Sequence, residues 1–228
     1  MEKFLITGSS KGIGLAAKNH FSKNHNVVGI SRSDQQGSEN FNHYQIDLSD
    51  IKNLSENIKK LLSDHPDINN FILNAGFGIF KELDQFSEAE IIELLNVNLL
   101  ANIIITKAIL PLIRKNKNCR VFFIGSEAAL EGQKKGSIYC ASKFGLRGFV
   151  QSIQKEFTKN NTQIALINPG MVKTEFYDNL DFIHGGEQEN YINSMDIIKY
   201  IELIISSSGF CLAEEINLKP YKKVIIKN

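Results

Sequence analysis

The chain has 228 residues, with 26 Lys+Arg against 25 Asp+Glu for a formal net charge of +1, 43% hydrophobic residues, three cysteines and no tryptophan. That length suits one domain spanning residues 1–228, and the balanced, interspersed charge leaves no electrostatic footprint for a nucleic-acid partner. Cys119, Cys140 and Cys211 lack any metal-like spacing, the apolar run before Gly8 is too short for a signal peptide, and no stretch approaches the roughly 18 to 20 uninterrupted apolar residues of a membrane span, so a soluble cytoplasmic protein with no membrane partner is expected.

Residues 3–7 read as a first strand, ending in Thr7-Gly8-Ser9-Ser10-Lys11-Gly12-Ile13-Gly14, with a helix expected over 13–22. A glycine-rich turn of this kind lets backbone N–H groups approach a phosphate, while the helix N-terminus adds partial positive charge. An ordinary tight turn between strand and helix has the same composition. A second strand, 26–31, ends at Ser31-Arg32. A dinucleotide fold usually offers an acid to the adenosine ribose about 20 residues past the glycines. Arg32 stands there instead; a guanidinium grips a 2′-phosphate bidentately, and Lys11 adds a second cation. Taken blandly, both are solvated surface charges.

A third strand over 43–46 leads to Asp47 and Leu48, a helix follows over 51–62, and a fourth strand over 70–74 ends in Asn74-Ala75-Gly76. A short polar residue followed by small ones suits the close approach of a flat ligand or its ribose, and equally suits a turn. Ser87-Glu88-Ala89-Glu90 is a capping box opening a helix over 87–113, in which Pro111 is a candidate kink. A fifth strand, 120–125, leads to Ser126, and the next helix, 138–157, carries Tyr139 and Lys143 four positions apart on one face. None of Tyr44, Tyr177, Tyr191, Tyr200 and Tyr221 has a lysine at that spacing. A phenol starts near pKa ~10, and a cation beside it favours the phenolate. A sixth strand over 163–168, a helix over 195–205 and a late strand over 215–219 complete the chain. This alternation predicts an α/β fold, a doubly wound parallel sheet with helices on both faces and ligands beyond the carboxyl ends of the strands.

Together these residues resemble the short-chain dehydrogenases/reductases, from Thr7 to about Thr174 with a looser tail. The family's T-G-x-x-x-G-x-G turn is Thr7, Gly8, Gly12 and Gly14; its N-A-G is Asn74-Ala75-Gly76; its Y-x-x-x-K is Tyr139 and Lys143; its P-G-x-V-x-T is Pro169-Gly170-Met171-Val172-Lys173-Thr174. The resemblance implies a Rossmann-like fold binding NADP(H), with cofactor contacts from Gly8, Ser10, Lys11, Gly12, Ile13, Gly14, Ser31, Arg32, Asp47, Leu48, Asn74, Ala75, Gly76, Tyr139, Lys143, Pro169, Gly170, Val172 and Thr174. It also implies a catalytic tetrad: Tyr139 as general acid, Lys143 on the nicotinamide ribose lowering the tyrosine's pKa, Ser126 on the substrate oxygen, and Asn98 anchoring a proton-supplying water. Out of this register, Ser126 reads as a turn serine and Asn98 as a locally bonded helix residue.

Leu73 stands where the family often has another asparagine, and Glu214-Glu215-Ile216-Asn217-Leu218-Lys219-Pro220 replaces its frequent Asp-Gly-Gly ending, as in some small carbonyl reductases. Residues 175–194 read as a substrate lid with glycine hinges, and Phe77, Glu127, Gln133, Met171 and Phe176 as pocket-side candidates. The expected activity is NADPH-dependent reduction of a small ketone, aldehyde or semialdehyde to an alcohol. Members of the family are commonly homodimers or homotetramers. A non-catalytic NADP(H) sensor is the alternative, although it leaves the tetrad unused. An S-adenosylmethionine methyltransferase shares glycine-rich turns but leaves Tyr139, Lys143 and the basic pair without a task. The histidines show no metal spacing, so no metal is expected.

Overall fold

The structure, a computed structural model, describes residues 1–116, 118–157, 162–207 and 212–227, so Cys211 lies outside the described residues. Its main sheet has seven strands, β1 (Lys3–Thr7), β2 (Asn26–Ser31), β3 (Phe41–Gln45), β4 (Asn70–Leu73), β5 (Arg120–Ile124), β6 (Gln163–Pro169) and β8 (Glu215–Leu218), in the order β3-β2-β1-β4-β5-β6-β8. Every pairing within it is parallel. The chain runs outward from β1 through β2 and β3, then returns to lay β4 on the other side of β1. That reversal opens a crevice at the carboxyl ends of β1 and β4.

Alternation along the strands supplies two hydrophobic layers. Phe4, Ile6, Ile72, Phe122 and Ile167 face one side, where α1 (Gly12–Phe21) contributes Ala17 and Phe21 and α6 (Ser194–Ser206) contributes Ile197, Ile198 and Ile201. Leu5, Phe71, Leu73, Val121 and Phe123 face the other, where they meet Leu54 and Ile58 of α2 (Ile51–Asp64), Ile105 and Ile109 of α4 (Ala101–Lys115), and Leu146 and Val150 of α5 (Ser137–Phe157).

The helix expected over 87–113 is interrupted, but not at Pro111, which sits inside α4. The capping box forms as expected, with Ser87 N–H donating to Glu90 Oε2 at 2.8 Å at the start of α3 (Glu88–Leu95). The break is a π-helical turn at Asn96–Leu100 between α3 and α4. Taken together, Glu88–Lys115 is long and apolar enough to cross a membrane by length and composition; here Ile105, Ile109 and Ile113 pack it over the sheet.

Two short strands were not expected from sequence. β7 (Phe182–His184) pairs antiparallel with β9 (Ile225–Lys227), so the tail clasps the 175–194 segment. Further bonds reinforce the clasp: Gly185 N–H donates to Val224 O at 2.9 Å, Lys222 N–H to Glu189 O at 2.9 Å, and Asn190 Nδ2 to Lys222 O at 3.1 Å.

Candidate active site

The turn after β1 is shaped for close approach. Gly8 and Gly12 have φ of +70° and +53°, a region that favours glycine, and a Cβ on Gly14 would stand 2.1 Å from Gly8 O. Thr7 Oγ1 accepts from the N–H groups of Asn74 and Ala75 at 3.0 and 3.1 Å, while Asn74 Nδ2 donates to Thr7 O at 3.1 Å. The glycine turn and the N-A-G turn are therefore bolted together across the β1–β4 crevice. The N–H of Gly12, opening α1, donates to Glu175 Oε2 at 3.1 Å. That carboxylate shows the helix start offering a hydrogen-bond donor to an anion.

Arg32 lies at the outer end of the crevice, 67% exposed, with only a loose 3.6 Å contact to Glu93. Lys11 is exposed beside α1. Burial pushes the Asp47 carboxyl up, but bonds from the Ser49 N–H and hydroxyl and the nearby Arg32 cation hold it below the usual carboxylate range. Not every assigned residue presents its side chain here. The Ser31 hydroxyl donates to Ser33 O at 2.7 Å, and Leu48 and Val172 are packed in the core, which leaves their backbones to face the crevice. Thr174 Oγ1 accepts from Phe176 N–H at 3.3 Å, and its methyl lies against Gly12.

At the inner end, Tyr139 and Lys143 are buried on α5. The Lys143 ammonium donates to Ile124 O at 3.1 Å and lies 5.8 Å from the centre of the Tyr139 ring. The Ser126 hydroxyl hydrogen-bonds the Tyr139 phenol and accepts from Ala128 N–H at 3.1 Å. Burial pushes the Tyr139 phenol up to about 12 despite the Ser126 bond, and burial alone brings Lys143 down to about 8. The sequence expectation is that the neighbouring cation lowers the phenol's pKa; in this state burial raises it instead.

Asn98 is 0% exposed and occupies the π-helical turn. Its Oδ1 accepts from Phe77 N–H at 3.0 Å and its Nδ2 donates to Phe77 O at 2.9 Å, while its backbone carbonyl accepts from Asn102 Nδ2 at 3.0 Å. The side chain therefore pins the loop after Gly76. A Cβ on Gly76 would come 3.1 Å from Asn98 Oδ1 and 3.6 Å from Lys143 Nζ, so this glycine keeps the approach to Lys143 open.

Sequence reasoning missed several contributors. Asn168, near the end of β6, accepts from Ser126 N–H at 3.3 Å through Oδ1 and donates to Glu215 Oε1 at 2.9 Å; Glu215 in turn takes Arg147 Nε of α5 at 2.9 Å. This chain of contacts ties the serine backbone to the helix that carries Tyr139. A polar residue ending the apolar run Ile164–Ile167 was the available signal. Phe80, also missed, stands 5.1 Å from the Tyr139 ring, whereas Phe176, a pocket-side candidate from the sequence, stands 6.0 Å from it, and Phe182 of the expected lid stands 5.0 Å from Phe80. Among the described residues no group of His, Cys, Asp and Glu is placed to hold a metal ion.

The sequence pattern of the short chain dehydrogenases matches residues 2–181. A 3-ketodihydrosphingosine reductase from Bacteroides thetaiotaomicron is 28% identical over 201 residues, covering 87% of this chain and 75% of that protein. The structure of an alcohol dehydrogenase from the archaeon Thermococcus sibiricus, complexed with 5-hydroxy-NADP, superposes with a TM-score of 0.84 at 25% identity, covering 98% of this chain and 99% of that one. A 4-hydroxyisoleucine dehydrogenase complexed with NADH shares the fold, with a TM-score of 0.83 at 22% identity over 96% of this chain and 97% of that one.

Proposed function

The chain belongs to the short-chain dehydrogenases, an oxidoreductase family, and from that premise we propose that it reduces a small carbonyl compound to an alcohol with NADPH. The observation that carries this reading is the meeting of Ser126, Tyr139 and Lys143 beside a crevice whose glycine turn already offers an N–H to an anion. When bound, the nicotinamide supplies the hydride that reaches the carbonyl carbon.

The chain's own groups do the rest. Gly8, Ser10, Gly12, Ile13 and Gly14 line the phosphate turn, Arg32 and Lys11 face the adenosine end, and Asp47 with the Leu48 backbone borders the adenine. Asn74, Ala75 and Gly76 keep the floor open, while Pro169, Gly170, Val172 and Thr174 flank the nicotinamide side. Ser126 donates to the carbonyl oxygen as negative charge develops there, and Tyr139 gives that oxygen its proton. Lys143 holds the ribose and compensates the phenolate left behind. Asn98 fixes the loop before the tetrad and anchors a water that returns the proton.

Preference for NADPH rests on Arg32 and Lys11, two exposed cations with no tight partner among the described residues, and agrees with the NADP-type ligand of the Thermococcus sibiricus structure. A reducing, cytoplasmic setting fits the buried free thiols of Cys119 and Cys140. Residues 175–194 serve as the lid of a single domain, and protomers pair as dimers or tetramers through the long helices.

Replacing Tyr139 with Phe tests the central step. Turnover of a carbonyl panel should fall by about 10²–10⁴-fold while NADPH binding, followed by nucleotide fluorescence, persists. Wild-type protein that binds NADPH yet consumes none with any carbonyl would favour the sensor.

A further inference from the structure

Glu127 directly follows Ser126, and its side chain is only 15% exposed. Its Oε2 packs against Gly170, where a Cβ would stand 3.2 Å away, so the carboxylate is wedged between the ends of β5 and β6. Lys223 Nζ donates to Oε1 at 2.6 Å. The two partners differ in how firmly they are held. Glu127 belongs to a short helical turn anchored at Ser126, whereas Lys223 reaches in from the tail and is 45% exposed.

Tyr139 itself sits in an aromatic set. Phe80, Tyr139, Phe176, Tyr177 and Phe182 form a linked set, with neighbouring ring centres 5.0 to 6.1 Å apart. The Glu127 charge also works to raise the pKa of the Tyr139 and Tyr177 phenols, so the carboxylate lies within electrostatic reach of both. A fixed carboxylate near a site that also holds an aromatic set is the chemistry that recognises an ammonium, by charge and by ring quadrupoles.

Resting on the reading of Tyr139 as the proton donor, we infer that the substrate is an amino-carbonyl compound whose ammonium displaces Lys223 from Glu127. Glu127 is then the residue that selects for charge, and Lys223 is the internal cation that keeps its place when the site is empty of substrate. A substrate carboxylate would meet Glu127 with its own sign and lose by repulsion.

Three ketones of matched size, ending in an ammonium, a methyl or a carboxylate, separate the possibilities when NADPH consumption is measured. The ammonium ketone should exceed the other two in kcat/KM by about tenfold or more, Glu127→Gln should erase that margin, and Lys223→Gln should lower KM for the ammonium ketone. A preference for the methyl or carboxylate ketone, or equal losses for all three in Glu127→Gln, overturns the inference while leaving carbonyl reduction intact. Calorimetry of an amino alcohol on the Tyr139→Phe protein reads the same inference without turnover. Affinity should drop about tenfold when Glu127→Gln is added, and unchanged affinity overturns it. Failure of every ketone to consume NADPH counts against carbonyl reduction itself, and the calorimetric result still decides the role of Glu127.

Discussion

Two side chains in the crevice carry shifted acidities with opposite consequences for pH. Tyr139 keeps its proton to about 12, so loss of the acid does not limit reduction in the ordinary range. Lys143 loses its proton near 8, and with it goes the cation that compensates the phenolate. The kcat/KM for carbonyl reduction should therefore fall as pH rises through about 8, in a profile recorded from pH 6 to 10; a plateau to pH 10 would dissociate Lys143 from the proton transfer. At the adenosine end, Lys11→Ala with Arg32→Ala should weaken NADPH by about tenfold or more and leave NADH nearly unaffected in titrations. Equal losses for both nucleotides would sink the assignment of the 2′-phosphate. Residue identities in these turns were readable because phosphate turns and proton donors demand particular chemistry at particular spacings. The balance of forces on Tyr139 was not readable, since burial arises from Phe80 and Phe176, which lie far from it in the chain.

Among the elements, β1 and β2 were found at the expected residues because each is a continuous apolar run bounded by turn residues. β7 and β9 left no such trace. Each is three residues long, β9 is exposed, and they exist by pairing with one another. The π-helical turn was equally invisible, since an apolar helix pattern continues through it. Its effect is to aim the Asn98 amide at both polar groups of the Phe77 backbone. Asn98→Ala should thus cost about 2 kcal/mol in urea denaturation, because those backbone groups lose their buried partners. A variant as stable as the wild type would show that the loop after Gly76 holds itself.

For the whole molecule, the doubly wound parallel sheet followed from alternation and hydrophobic runs, whereas its strand order and the long-range ties did not. Arg147, Glu215, Asn168 and Ser126 come from four separate stretches, and nothing in their local sequence announces that they meet. The outer surface of the long helices exposes Ile92, Leu100 and Phe144, apolar side chains that a second protomer can cover. Light scattering should return a mass two or four times the chain's 25.7 kDa, and Phe144→Asp should reduce it. A monomer at micromolar concentration would contradict assembly through this surface.

The contact between Glu175 and the N–H of Gly12 gives the reaction a direction in time. Two anions do not share one donor, so Glu175 must leave before a phosphate takes that N–H. Its departure loosens the short turn Glu175–Tyr177, the first piece of the segment lying over Tyr139. On the proposed reading, the carbonyl compound should therefore bind after the dinucleotide, and carbonyl binding to the nucleotide-free protein in titrations would contradict that order.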